Sequence, residues 1–235
     1  MAQIYDMQIP KHIVLTPKIA TYMARHSTRA DTVLEELRAE TDRMGQIREM
    51  MISVEQGVLL SLLTKSIDTR LAVEIGTFTG YSSVCIARAL PSDGRLLCFD
   101  NSEEWTAMAR RYWQRANLEG KIELRLGDGA KQLRAFFETE PQAQVDFAFV
   151  DADKTGYDTY YELLLPRMRP NGVVVFDNML WGGSVVTGPM DDPDVIAVDA
   201  LNRKLGGDPR VESVLLPVAD GIQLCRKREA AELEQ

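Results

Sequence analysis

The feature that most limits how this chain can fold is the stretch from Val145 to Gly183. Val145-Asp146-Phe147-Ala148-Phe149-Val150 is a short apolar run rich in β-branched and aromatic residues, which reads as a buried strand. It stops at Asp151-Ala152-Asp153-Lys154. A second such run, Gly172-Val173-Val174-Val175-Phe176, stops at Asp177-Asn178-Met179-Leu180-Trp181. Between them Tyr157 to Met168 reads as a helix, stopped by Pro170 and Gly172. Strand, helix and strand of this length make a βαβ unit, so the two strands run parallel and bring their acidic ends to one edge of the sheet. Ligands of open α/β sheets bind at that carboxyl edge. Asp151, Asp177 and Asn178 are therefore expected to converge there, with Lys154 beside them. Hard oxygen donors without thiolate or imidazole suit Mg²⁺, Mn²⁺ or Ca²⁺. The competing reading is that strand-end Asp and Asn only cap helices and make turns. Two neighbouring strands that both end in acids, with Asn and Lys alongside, favour the functional one.

The rest of the chain extends this pattern in both directions. Residues 1 to 10 read as irregular. Thr16-Pro17 opens a short helix to about Arg25, and a second helix runs from about Asp31 to Met44, closed by Gly45. Both read as accessory packing, a lid or a dimer surface. Ser53-Val54-Glu55-Gln56 is a capping box that starts the next helix. Leu71 to Ile75 is the first core strand, and it runs into Glu74-Ile75-Gly76-Thr77-Phe78-Thr79-Gly80-Tyr81-Ser82. A glycine turn between strand and helix lets backbone come close to a ligand. Its glycines are four apart and preceded by an acid, unlike the Gly-x-Gly-x-x-Gly of a pyrophosphate cradle. Glu74 there would repel phosphate and welcome an ammonium.

The strand from Arg95 to Phe99 ends at Asp100, placed either to accept from ribose hydroxyls or to cap the helix that follows. Trp105 and Tyr112 on that helix read as packing residues. Ile122 to Leu126 ends in Gly127-Asp128-Gly129, and a helix from Ala130 to Glu138 leads back to Val145. After Trp181 a long loop reaches Asp194, then a helix covers about Val195 to Leu205. Val211 to Leu216 and Ile222 to Arg226 form the last pair of strands. Their connection is too short for a crossover, so they are antiparallel. The tail from Lys227 reads as charged and frayed.

Composition removes several classes of function. A net charge of −8 is unfavourable for a nucleic-acid surface, which needs a basic face. No apolar run approaches the roughly 18 residues of a membrane span. Cys85, Cys98 and Cys225 are odd in number and widely spaced, so they read as buried thiols of a cytoplasmic protein. Both histidines, His12 and His26, lie near the N-terminus, so a general base in the core is not expected to be histidine. The expected architecture is α/β: one Rossmann-like domain over residues 1–235, with a seven-stranded, mostly parallel sheet and an antiparallel C-terminal hairpin. Residues 1–50 form a helical accessory and residues 227–235 a charged tail.

Glu74-Ile75-Gly76-Thr77-Phe78-Thr79-Gly80-Tyr81-Ser82, Val150-Asp151-Ala152-Asp153-Lys154, Asp177-Asn178-Met179-Leu180-Trp181 and Pro217-Val218-Ala219-Asp220-Gly221 together resemble the cation-dependent class I O-methyltransferases, the caffeoyl-CoA and catechol type. The resemblance covers about residues 10 to 228 and is most like the bacterial catechol-type members. It implies an enzyme that moves a methyl group from S-adenosyl-methionine to a hydroxyl of a small catechol-type substrate, in bacterial specialised metabolism such as antibiotic biosynthesis. It implies that Ile52 and Ser82 flank the methionine end of the cofactor and that Glu74 and Gly76 line the glycine turn. Asp100 then takes the ribose hydroxyls, Gly129 helps hold the adenine, and Asp151 faces the cofactor's amino group. Asp151, Asp177 and Asn178 match the metal ligands, Lys154 the base, and Trp181 lies against the substrate. Asp128 departs from the plant relatives, which are apolar there. The family also implies a homodimer.

Three alternatives stay open at this point. A caffeoyl-CoA-type enzyme would act on a CoA ester, although Asp191, Asp192 and Asp194 in the loop after Trp181 would repel the diphosphate. The N-terminal cations Lys11, Lys18, Arg25 and Arg29 would offset that repulsion if they folded over the site. A dinucleotide oxidoreductase shares the sheet but lacks the glycine spacing. A cofactor-binding protein without catalysis would have no need of the full Asp151, Lys154, Asp177 and Asn178 set.

Overall fold

The computed structural model describes residues 13–189 and 191–233. The irregular stretch expected for residues 1–10, together with Lys11 and His12, lies outside them. Seven strands form one sheet in the order β3-β2-β1-β4-β5-β7-β6. They are β1 (Leu71–Ile75), β2 (Arg95–Asp100), β3 (Ile122–Leu126), β4 (Val145–Val150), β5 (Met168–Phe176), β6 (Val211–Leu216) and β7 (Ile222–Lys227). β1 pairs in parallel with β2 and β4, and β4 in parallel with β5. β7 runs antiparallel to both β5 and β6, as the short connection requires. The order reverses between β1 and β4, which places the crevice over the ends of those two strands.

The helices cover the sheet on both faces because its central strands β1 and β4, apart from Glu74 and Asp146, present apolar side chains to both. On one face lie α2 (Thr32–Thr41), α3 (Val54–Ser66), α4 (Tyr81–Ala89) and α5 (Glu103–Arg115), around Leu37, Leu60, Val84 and Trp113. On the other lie α6 (Gly129–Thr139), α7 (Tyr157–Leu164) and α9 (Pro193–Gly207), around Phe136, Tyr161 and Leu201. The helix α1 (Pro17–Arg25) buries no residue, and Tyr22 and Met23 on it are exposed.

Four segments differ from the sequence reading. α2 stops at Thr41, whose hydroxyl turns back to the Leu37 carbonyl at 2.9 Å; residues 42–50 then wind as short turns through Gly45 at φ 77°. α7 ends at Leu164, and β5 begins at Met168 with a register shift opposite Asp146. Arg169 donates to Asp146 at 2.6 Å and draws that residue into the sheet. The loop after Trp181 contains a short helix, α8 (Ser184–Thr187). The C-terminal segment is pinned through Leu233: Arg226 pairs with Glu212 at 2.8 Å and Glu232 at 2.7 Å, and Lys227 donates to the Met168 carbonyl at 2.8 Å. Several local ion pairs therefore replace the fraying that charge alone would predict. Cys85, Cys98 and Cys225 are buried free thiols.

Candidate active site

A cleft of about 1000 Å³ opens at the carboxyl edge of the sheet. Ile52, Gly76, Ser82, Asp100, Gly129, Asp151, Lys154, Asp177, Asn178 and Trp181 all line it. Glu74 does not. It is the penultimate residue of β1, so its side chain leaves through a face of the sheet rather than its tip. Its carboxylate is fully buried, with Cys98 donating to Oε2 at 3.3 Å and Oε1 unpartnered. Burial pushes this carboxyl up to about 8 against the pull of Ser82, Cys98 and Thr77. The ammonium-binding role expected of an exposed acid therefore does not fit the position; Glu74 stands behind the wall.

The glycine turn is shaped by backbone contacts. Gly76 has φ 91°, and a Cβ there would lie 1.8 Å from the Asp151 carbonyl oxygen. The close approach that demands glycine is thus to the neighbouring strand. Asp100 Oδ2 accepts from the amides of Thr77 at 2.9 Å and Phe78 at 2.8 Å, while its Oδ1 accepts from Ser102 at 2.8 Å. Asp100 therefore braces the turn from the tip of β2, and Ser102 takes the capping role on α5. Asp128 caps α6 by accepting from Lys131 at 2.8 Å, which accounts for an acid at this tip. Trp105, expected only to pack, is half-buried in the cleft wall, edge-on to Phe78 at 5.2 Å.

The chemistry gathers at the ends of β4 and β5. The Lys154 ammonium is buried and donates to Asp151 Oδ1 at 3.1 Å, Asn178 Oδ1 at 2.8 Å and the Tyr157 hydroxyl at 2.6 Å. Tyr157 in turn donates to the Asp177 carbonyl at 3.2 Å, and the Trp181 ring lies 5.5 Å from the ammonium. Asp177 accepts from the Asn178 amide at 2.7 Å and from Gln56 Nε2 at 2.7 Å. Asn178 holds a left-handed backbone, φ 56°, a conformation that asparagine tolerates well. The β6–β7 turn secures this loop, since Asp220 and Gly221 carbonyls accept from Leu180 and Met179, each at 2.9 Å.

Burial raises the Asp151 carboxyl above its ordinary range, with the Lys154 charge opposing. Burial likewise pushes Asp177 up to about 7, and the charge of Asp151 adds to the rise. A buried carboxylate, Asp177, and a half-buried one, Asp151, that repel each other, with an amide oxygen and one ammonium, form a set suited to receiving more positive charge. The donors are all hard oxygens, so these residues fit an ion of the Mg²⁺ class. Among the described residues no group of three His, Cys, Asp or Glu is placed to hold a metal ion; beside Asp151 and Asp177, the further protein donor for such an ion would be the Asn178 amide oxygen.

Gln56 is the site residue that sequence reasoning missed. Its Oε1 closes the capping box with the Ser53 amide at 2.8 Å, and its Nε2 reaches Asp177 across 121 residues of sequence. The available signal was glutamine rather than glutamate at that position, because only an amide can accept at one end and donate at the other.

Comparison with known proteins bears on the family and the fold. The O-methyltransferase family profile matches residues 24–228. Caffeoyl-CoA O-methyltransferase 1 of Eucalyptus globulus is 37% identical over 206 residues, covering 80% of this chain and 82% of the relative. The O-methyltransferase from Bacillus cereus, solved in complex with SAH, superposes with a TM-score of 0.82 at 30% identity, over 90% of this chain and 97% of that one. The O-methyltransferase TomG from Streptomyces achromogenes, involved in tomaymycin synthesis and solved with SAM, gives 0.82 and 30%, over 90% and 96%. With its sheet order, its glycine turn and its converging oxygen donors, this chain belongs to the O-methyltransferase family.

Proposed function

We propose that the protein transfers a methyl group from S-adenosyl-methionine to one hydroxyl of a small catechol-type substrate, with the help of a divalent cation. The observation that carries this reading is the gathering of Asp151, Asp177 and Asn178 at the ends of β4 and β5, with a buried lysine bonded to Asp151 and Asn178. SAM and SAH in the similar Streptomyces and Bacillus structures support the choice of cofactor. Asp100 and Gly129 would hold the adenosine, with Ile52 and Ser82 at the methionine end. When bound, a Mg²⁺-class ion would lower the pKa of a chelated catechol hydroxyl. Lys154 would take the proton of the reacting hydroxyl, and Asp151, Asn178 and Tyr157 fix its nitrogen in place. Trp181 would wall the aromatic ring. Rigid registration of the two partners supplies much of the rate through proximity and orientation.

Acidic residues at the mouth support a substrate without a CoA carrier. Glu49, Asp194 and Asp220 line the cleft, whereas Lys18, Arg25 and Arg29 are exposed and do not. Asp192 is occupied in capping α9 by accepting from Asp194 at 2.9 Å. A diphosphate entering here would meet short-range repulsion. The Streptomyces neighbour makes specialised metabolism, such as antibiotic biosynthesis, the natural setting to test. The second reading, a CoA ester, is favoured by the named activity of the Eucalyptus relative. The deciding experiment compares kcat/KM for a free catechol and for caffeoyl-CoA under identical Mg²⁺ and salt. The free catechol is expected to win, and EDTA to abolish turnover until Mg²⁺ is restored. A preference for the CoA ester would refute the substrate assignment, and undiminished turnover in EDTA would refute the cation.

The exposed apolar surface of Ile13, Val14, Leu15, Tyr22 and Met23 supports a homodimer, which a monomeric sedimentation profile at micromolar concentration would overturn. Three buried, unpaired thiols support a cytoplasmic setting, and among the described residues no helix is long and apolar enough to cross a membrane.

A further inference from the structure

Arg38 belongs to none of the roles assigned so far. It lies on α2, lines the cleft, and its Nη1 is buried with no hydrogen-bond partner among the described residues. Arg38 is half-buried, and a guanidinium nitrogen withdrawn from water without an acceptor is costly, a cost that an anionic group in the cleft would relieve.

The packing of α2 fixes which end of the cleft this arginine serves. Asp31, the cap of α2, pairs with Arg88 near the end of α4 at 2.7 Å. At the other end, the Thr41 hydroxyl lies 3.0 Å from that of Thr79, just before α4 begins. The two helices are therefore antiparallel. Arg38, one turn before Thr41 on α2, therefore lies towards the start of α4 and lines the same cleft as Tyr81 and Ser82. Burial raises the Tyr81 hydroxyl above its ordinary range, and Arg38 is near enough to oppose that rise. α4 starts at Gly80 with no side-chain cap, so its N-terminus adds a second attraction for an anion at the same spot. The oxygen donors and Lys154 belong instead to the ends of β4 and β5. Among the cleft-lining cations, Lys154 is already paired with Asp151.

We propose that Arg38 binds the α-carboxylate at the methionine end of the methyl donor, together with the uncapped first turn of α4. This rests on the reading that the cleft takes S-adenosyl-methionine. It gives the α2 segment a binding role where the sequence indicated only packing.

Calorimetry with S-adenosyl-homocysteine and with its decarboxylated analogue, S-adenosyl-3-thiopropylamine, tests the assignment directly. Wild-type protein should bind the homocysteine form more tightly. Arg38→Met should weaken that form by about 10- to 100-fold and leave the decarboxylated analogue within about threefold, the scale of one charge-assisted hydrogen-bonded pair. Arg38→Lys should fall between the two. Thermal unfolding of each variant establishes that it is folded. Unchanged affinity for the homocysteine form in Arg38→Met overturns the proposal, and so does an equal loss of both ligands, which marks a purely structural role. A raised KM for an anionic catechol with cofactor affinity intact assigns Arg38 to the substrate and also overturns it. Failure of the wild type to bind the homocysteine form at all would instead overturn the cofactor reading, and this inference with it.

Discussion

The two halves of the cleft are built from the same sequence device, an acid at or near the end of a strand, and use it in opposite ways. In the β1–β2 half the acids are bonded into the protein's own frame, even where, as for Asp100, a ligand role is proposed as well. Asp100 spends Oδ2 on two turn amides, and Glu74 lies inside the core. Asp128, at the neighbouring tip of β3, caps a helix. In the β4–β5 half the acidic side chains face an ammonium, an amide and each other. The first arrangement satisfies charge locally and holds a shape. The second concentrates like charge in a desolvated place, which is what the proposed cation would relieve. An acid at a strand end therefore acquires its role from what its oxygens meet.

The sharpest way to break this contrast is Lys154→Met. Turnover should fall by about 10²- to 10⁴-fold, the usual cost of a general base, with little change in affinity for S-adenosyl-homocysteine. A variant within about threefold of wild type in kcat would show that the cation alone ionises the hydroxyl.

Glu74→Gln probes the other half at intermediate size. The folded-state carboxyl, at about 8, lies above the ordinary 4.5. Its contribution to stability is therefore fully present below pH 4.5 and is lost as pH rises towards 8. The wild type should lose stability across that window by up to about 1.4 kcal/mol per pH unit, and the glutamine variant should be flatter. Thermal melts from acid to mildly alkaline pH provide the comparison. Parallel curves for the two proteins would place the Glu74 carboxyl outside the core in solution.

The smallest effect belongs to Asp128→Ala. Loss of a helix cap should lower stability by about 1 kcal/mol and leave cofactor affinity unchanged. A clear drop in affinity with no change in melting temperature would move Asp128 from the frame to the ligand.

The chain by itself determined the sheet, the crossovers and the corner where the oxygen donors meet. Those follow from short-range patterns: apolar runs of strand length, helix-period segments between them, and acids where each run stops. Local capping was equally legible, as at Ser53 with Gln56. Tertiary structure decided which groups those donors and caps would face. Gln56 meets Asp177 only because folding brings the first turn of α3 to the end of β5, 121 residues away in sequence. Glu74 and Asp100 look alike along the chain, yet one points through a face of the sheet and the other off its tip. The segment from Lys227 to Leu233 is charged in sequence but is held against the sheet where Glu232 lies beside Arg226. The unpartnered nitrogen of Arg38 arises from α2 lying antiparallel to α4. Periodicity and capping are properties of a few consecutive residues, whereas desolvation and partnership depend on the atoms that folding brings around a group, and these can come from anywhere in the chain.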